Sequence, residues 1–232
     1  MAKFWIPRIF RKLISVCFEK YENYVAKRLS AVVVSTPHIR KRFIQVHSNT
    51  VDVCNYPLIT ELMEPASWDD KQNEICYVGG ISVVRGILEL MDALALLPDF
   101  RLNLAGNFST AELEEQVKTK EAWNRVEFYG YVGRKELLSI FQRSKIGMVT
   151  LLPTPNHMES LPIKMFEYMS AGIPVICSNF PLWEEIVGEN KCGICVDPTQ
   201  SGLIASAIES MLSEPEKAKK MGENGRLAIL EK

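Results

Sequence analysis

Neither sign of charge dominates this sequence, in which 27 lysines and arginines stand against 28 aspartates and glutamates. A surface that grips nucleic acid by its phosphates needs a basic excess, so no nucleic-acid partner is expected. Long apolar runs are also missing: none approaches the roughly 20 residues of a membrane-spanning helix. The opening MAKFWIPRIFRKLIS does not read as a signal peptide, because Arg8, Arg11 and Lys12 interrupt its apolar residues and no small-residue cleavage site follows. Cys192-Gly-Ile-Cys195 has CxxC spacing, but no second CxxC or paired histidine accompanies it, so a zinc site lacks half its ligands. A redox pair would sit at a helix N-terminus, whereas this one reads as a short strand running into a turn at Val-Asp-Pro. The six cysteines are therefore expected to be reduced, mostly buried thiols of a cytoplasmic protein.

What is present is a globular composition, 47% hydrophobic and 24% charged over 232 residues, enough for one large domain or one domain and part of another. Residues 9–29 repeat Phe10, Leu13, Ile14, Cys17, Tyr21, Tyr24 and Val25 at helical spacing. Residues 31–35 form a short apolar run, the pattern of a parallel strand buried on both faces. Thr36-Pro37 then opens a helix with threonine as N-cap, and 51–54 reads as another strand. A polar stretch with Pro65, Trp68, Asp69 and Asp70 reads as a linker. From Glu74 onward strand and helix patterns alternate, with strands at 75–78, 101–105, 126–129, 146–151, 174–177 and 194–196. Helices fall at 87–97, 110–120, 134–143, 163–170, 203–212 and 216–230. Such repetition implies a parallel sheet with helices on both faces. The boundaries expected are 1–58, a linker at 59–73, and 74–232.

Parallel α/β sheets bind ligands at the carboxyl ends of their strands, which directs attention to three loops. In the first, Gly79-Gly80 follows a strand and Arg85 stands beside a helix start. Backbone N–H groups, a helix dipole and a guanidinium together suit phosphate, although a tight turn with a solvated arginine carries the same residues and the spacing is not GxGxxG. In the second, Gly130-Tyr131-Val-Gly133 marks a sharp turn. The third runs from Pro153 to Ile176 and holds Glu159 and Glu167, eight apart. Pro162 suits the first turn of a helix, so Glu159 falls in the loop before it. Glu167 lies inside the helix, roughly 7 Å along the axis. Two carboxylates flanking a helix N-terminus suit a sugar, a diphosphate and a ribose in line, since carboxylates accept strong hydrogen bonds from hydroxyls. Met165, Phe166, Tyr168 and Met169 surround Glu167 with apolar bulk, where a carboxylate needs a partner. His157 reads as a bystander or a rim contact.

In this order these residues resemble the group 1 retaining glycosyltransferases of GT-B fold. The resemblance covers roughly residues 20–232 and is most specific over Glu159 to Ile176, which carries the E-x7-E signature and the Ala-Gly-x-Pro-Val-Ile strand. Tyr-Val-Gly-Gly with Arg85-Gly86, Leu-Ala-Gly at 104–106, Phe-Tyr-Gly-Tyr at 128–131 and Cys-Gly-Ile-Cys-Val-Asp-Pro support it. The chain looks like the branch that builds bacterial surface polysaccharides.

The resemblance implies a Rossmann-like parallel-sheet domain, the C-terminal half of a GT-B enzyme, preceded by a remnant of the N-terminal acceptor-side domain. It implies a UDP- or GDP-sugar donor, a glycan or lipid-linked acceptor, and a missing N-terminal half or partner subunit. Glu159, Arg85 and Lys164 would serve catalysis, with Glu159 on the transferred sugar and the two cations on the diphosphate. Gly79, Gly80, Tyr131, Ser160, Leu161 and Glu167 would bind the donor, Tyr131 near the base and Glu167 on the ribose. The arginine usual after the first glycine is replaced by Gly80, which leaves more of the phosphate charge to Arg85 and Lys164. Pro162 also lacks an N–H that glycine often supplies there. No DxD motif is present, so no obligatory metal is expected, and the nucleotide sugar is a co-substrate with no separate cofactor. Other readings are a nucleotide-sugar-binding module without turnover and a GT-B sugar-nucleotide epimerase. The basic, aromatic start (Lys3, Phe4, Trp5, Arg8, Arg11, Lys12) would suit either anionic lipid at the inner membrane face or packing against the rest of its domain.

Overall fold

A computed structural model describes residues 7–54, 56 and 64–231, the side chains of Arg8 and Ile9 excepted. Lys3, Phe4 and Trp5 of the basic start, and residues 59–63 of the expected linker, lie outside the described residues. The chain divides into two units, Met1–Asn55 and Tyr56–Lys232.

The first unit contains helix α1 (Arg8–Ala26), strand β1 (Val32–Val34), helix α2 (Pro37–Phe43) and strand β2 (Thr50–Asp52). Thr36 caps α2 as its sequence predicts, its hydroxyl accepting from Ile39 N–H at 3.3 Å. The strands pair in parallel, and Ala26, Val34 and Phe43 form a small core. One expectation fails here: β1 is not buried on both faces, since Val33 is 65% exposed. Successive strand residues point to opposite faces, and only the face bearing Val32 and Val34 packs on that core. Phe10, Leu13, Phe18 and Tyr21 of α1 are exposed as well.

The second unit runs β3 (Glu74–Val78), α3 (Ile87–Ala95), β4 (Arg101–Ala105), α4 (Ala111–Lys118), β5 (Val126–Gly130), α5 (Arg134–Arg143) and β6 (Ile146–Val149). It continues through α6 (Pro155–Met158), α7 (Ile163–Ser170), β7 (Val175–Ser178), α8 (Pro181–Asn190), β8 (Gly193–Val196), α9 (Ser201–Ser213) and α10 (Pro215–Leu230). The six strands form one parallel sheet in the order β5-β4-β3-β6-β7-β8. The sheet is the α/β architecture that the alternating pattern implies. Helices α6 and α8 were not anticipated. The first is a single turn; the second is announced only by Pro181 and by Trp183 and Val187 at helical spacing, both buried. Trp68, within the stretch read as a linker, sits in a short 3-10 turn and joins the core of this unit.

The chain builds outward from β3 to β4 and β5, then returns to β6 on the other side. Between β3 and β6 the two connections leave in opposite directions, and such a switch point opens a crevice at the carboxyl ends of the strands. The opposite end of β3 is closed by charge. Glu74, 2% exposed in its side chain, is held by Arg143 at 2.9 and 3.2 Å and accepts from Asn103 of β4 at 2.7 Å. Lys71 donates to the carbonyls of Phe141 and Ser144 at 2.9 and 3.0 Å, closing the end of α5. Burial lowers the Lys71 pKa to about 8.

Breaking a buried ion pair leaves a charge without compensation. Arg143→Met is therefore expected to cost about 3 kcal/mol in urea unfolding, the low end for such pairs because Arg143 is partly exposed. Adding Glu74→Leu should recover much of that loss, which a double-mutant cycle measures.

Candidate functional site

Strands β3 and β6 keep register for two residues only, Ile75 with Ile146 and Cys76 with Gly147. Beyond that they part, and the Val78 N–H has no strand to donate to. Tyr168 of α7 takes it, its hydroxyl accepting at 2.9 Å in a fully buried position. The ring lies flat on Gly147, where a Cβ would come within 2.3 Å of ring carbons. Glycine at 147 thus lets α7 settle against the sheet with its N-terminus over the gap.

The gap is a cavity of about 420 Å³, lined by Val78, Gly79, Arg85, Leu151, His157, Ser160, Leu161, Pro162, Ile163, Lys164 and Glu167. Pro162 is the N-cap of α7 and no side chain caps the helix, so the positive end of the dipole faces the cavity uncompensated. Gly79 and Gly86 adopt positive φ, 113° and 75°. A Cβ on Gly86 would meet the Thr150 carbonyl at 1.9 Å. Arg85 folds back to donate to the Gly80 carbonyl at 3.2 Å, and a Cβ on Gly80 would lie 2.9 Å from its Nη1. The Tyr77 hydroxyl donates to the same carbonyl at 2.9 Å. Gly79 N–H is already committed to the Ala105 carbonyl at 2.9 Å.

Lys164 is partly exposed along its stem, but its Nζ is buried, has no hydrogen-bond partner and lies 3.6 Å from the Tyr77 ring centroid. Desolvation, and then the neighbouring Arg85 charge, lower its pKa to about 7. Glu167, 18% exposed in its side chain, is paired with Arg134 Nη1 at 2.9 Å. His157 lines the cavity, with Nδ1 at 3.1 Å from the Leu152 carbonyl. Trp183 of α8 donates to the Ser160 carbonyl at 2.7 Å and fixes the loop.

The fold thus brings Arg85, Gly79, Ser160, Leu161, Lys164 and Glu167 of the expected set to one cavity, with Gly80 adjoining it through Arg85. Glu159 and Tyr131 are not among the lining residues. Glu159 ends α6 as an exposed residue, and Tyr131, 82% exposed, follows β5 at the sheet edge. Arg134 escaped the sequence reading, although it directly follows the Gly130–Gly133 turn. Its pairing across to Glu167 depends on α5 and α7 lying side by side, which sequence spacing does not reveal. The CxxC spacing does not bring its cysteines together functionally: Cys192 is buried, and Cys195 instead meets Cys177 of β7, sulfur to sulfur at 3.5 Å.

A parallel sheet with this strand order and a cation-lined cavity at its switch point make a Rossmann-like α/β domain suited to an anionic ligand. The family described as glycosyl transferases group 1 matches residues 59–228. The chain belongs to that family. It is 26% identical over 161 residues to glycogen synthase of Mycobacterium tuberculosis, covering 66% of this chain and 37% of that protein. It is 27% identical over 152 residues to O-antigen chain mannosyltransferase B of Escherichia coli, covering 62% and 38%. Its fold matches Anabaena Alr3699/HepE, solved with UDP-glucose, at a TM-score of 0.73 with 20% identity, covering 91% of this chain and 62% of that one. The chain thus spans about two fifths of the length of the curated relatives it matches.

Tyr168→Phe should leave the Val78 N–H buried without an acceptor, at a cost of roughly 1–3 kcal/mol. Urea unfolding measures that loss, and faster hydrogen exchange at the Val78 amide would place it at the switch point.

Proposed function

We propose that this chain is the donor-binding half of a retaining glycosyltransferase of cell-surface polysaccharide synthesis. It takes a UDP- or GDP-sugar and works on a glycan or lipid-linked acceptor. The observation that carries the reading is the buried Lys164 Nζ, without a hydrogen-bond partner, beside Arg85 at the uncapped N-terminus of α7. A buried nitrogen left without a hydrogen-bond partner costs folding energy, and an anion at that helix terminus would satisfy it. The solved relative with bound UDP-glucose and the O-antigen relative favour the same reading.

In this proposal Arg85 and Lys164 hold the diphosphate, with the backbone of Gly79, Gly80, Ser160 and Leu161 against it. Glu167 accepts from the ribose hydroxyls, and Arg134 orients that carboxylate. Tyr131 marks the side of the base. Glu159 lies one residue from the lining Ser160 and is proposed to meet the transferred sugar. The bond between the anomeric carbon and the diphosphate oxygen breaks, and a bond to the acceptor hydroxyl oxygen forms on the same face. The hydroxyl proton leaves with the nucleoside diphosphate. The cations and the helix terminus stabilise the charge that develops on the leaving group.

Residues 1–58 are proposed as the end of the acceptor-side domain, 59–73 as the linker and 74–232 as the donor domain. The rest of the acceptor side would come from residues outside this sequence or from a separate subunit. Since misplacement by ~1 Å can cost about 10²-fold in rate, the 232-residue chain alone is expected to bind donor and at most hydrolyse it slowly. Efficient transfer by the purified chain would overturn that assignment of its parts.

Glu167→Gln keeps shape but removes a charged acceptor, worth about 1.5–3 kcal/mol. Affinity for the sugar nucleotide should fall roughly ten- to hundredfold with the unfolding midpoint little changed. Calorimetric titration with UDP- and GDP-sugars decides; unaltered affinity removes Glu167 from the ribose.

A further inference from the structure

Among the described residues, four buried side-chain polar atoms have no hydrogen-bond partner: His47 Nδ1, Glu89 Oε2, Thr150 Oγ1 and Lys164 Nζ. Of these, only Lys164 lines the cavity. Its Nζ rests on the face of Tyr77, and that ring is held in place by its own hydroxyl bond to Gly80. The same carbonyl receives Arg85, so one peptide oxygen holds both the seat of Lys164 and the second cation of the cavity.

The charged and titratable groups around Lys164 come from each neighbouring element. From β3 come Cys76, whose thiol burial pushes up to about 12, and Tyr77, also raised by burial. Both are therefore neutral near pH 8. Arg85 follows β3 and repels an ammonium. His157 from α6 and Glu167 from α7 itself line the same cavity, with Glu167 already engaged by Arg134. No carboxylate contacts Lys164 Nζ, since the atom has no hydrogen-bond partner and takes part in no ion pair shown among the described residues.

We infer that Lys164 is a proton-coupled phosphate anchor, held against the Tyr77 ring as an amine above neutral pH while the cavity is empty and protonated when a nucleoside diphosphate enters between Arg85 and α7. The inference rests on the reading that this cavity takes a nucleotide sugar. The balance is simple: the amine gains one proton from solvent as the diphosphate binds and returns it when the diphosphate leaves. Tyr77 acts as the positioning residue, its ring face holding the nitrogen at 3.6 Å from the centroid. The fall of the Lys164 pKa to about 7 in the empty protein, by burial and by Arg85, agrees with this geometry. A bound dianion raises it again. Since the bound state then holds more protons than the free one, affinity must fall as pH rises above about 7, by the same linkage that governs stability.

The test is isothermal titration of the full chain with UDP and with GDP at pH 8.5, in two buffers of different ionisation enthalpy. A phosphate whose second ionisation lies near about 6 is then fully charged, and an ordinary histidine, near about 6.5, is neutral. The expected result is uptake of between about half and one proton per nucleotide bound, with affinity falling up to about tenfold per pH unit above neutrality. Lys164→Arg, which never deprotonates, should bind with little dependence on pH and take up no proton. Lys164→Met should lose nucleoside diphosphate affinity while keeping that for the nucleoside, which also shows that the variant is folded. Binding of wild-type chain without proton uptake would overturn the inference, as would uptake that persists in Lys164→Arg. If neither nucleotide binds at any pH, the donor reading itself fails and the inference falls with it.

Discussion

Parallel strands satisfy their backbone groups from both neighbours, and at β3 and β6 that supply ends after two paired residues. The Val78 amide beyond them must find another acceptor, because a buried N–H left without one costs about as much as a lost hydrogen bond. Tyr168 provides it across the gap. That contact, with the packing of α7 on β6, β7 and α10, holds the helix against the sheet and so places Lys164 and Glu167, which lie before Tyr168 on the same helix. Gly147 is required in the same arrangement, since any side chain there would displace the tyrosine ring. The cavity follows from this meeting of a strand end, a glycine and a phenol.

The electrostatics of the cavity depend on how its charges are paired. Glu167 has a cation in Arg134, and Arg85 has a carbonyl in Gly80. Lys164 has only an aromatic face. Gly80 has two physical consequences where the resemblance leads one to expect an arginine: it removes one cation, and it leaves room for Arg85 to fold onto the backbone. Burial, and then the neighbouring Arg85 charge, lower the Lys164 pKa to about 7. At the other end of β3 the logic is reversed. There Glu74, Arg143 and Asn103 satisfy one another, and the cluster closes the sheet.

The fold of the second unit was largely legible because local patterns and tertiary demands agree. The apolar runs at β3, β4, β6 and β7 are those of strands covered on both faces, and α5 and α7 begin and end where their sequence patterns do. Helix α6 is a single turn, too short for periodicity to detect. In the first unit the same reasoning misjudged β1, because an apolar run reports what a strand is able to bury and cannot report whether a second layer covers it. Val33 is exposed for that reason.

By itself the sequence determined the alternation of strands and helices, the parallel sheet that this alternation requires, and the glycines, cations and carboxylates that stand at strand ends. These are local properties, fixed by side-chain period, by capping and by the restricted backbone of glycine and proline. Only the tertiary structure decided which of those residues share a cavity. It brought Arg134 to Glu167 across 33 residues of sequence, and it set Lys164 on Tyr77 while leaving Tyr131 at the sheet edge. It also joined Cys195 to Cys177 instead of to Cys192. Each of these pairings depends on strand order and on the depth at which a helix settles, which arise from packing the whole unit and have no counterpart in residue spacing.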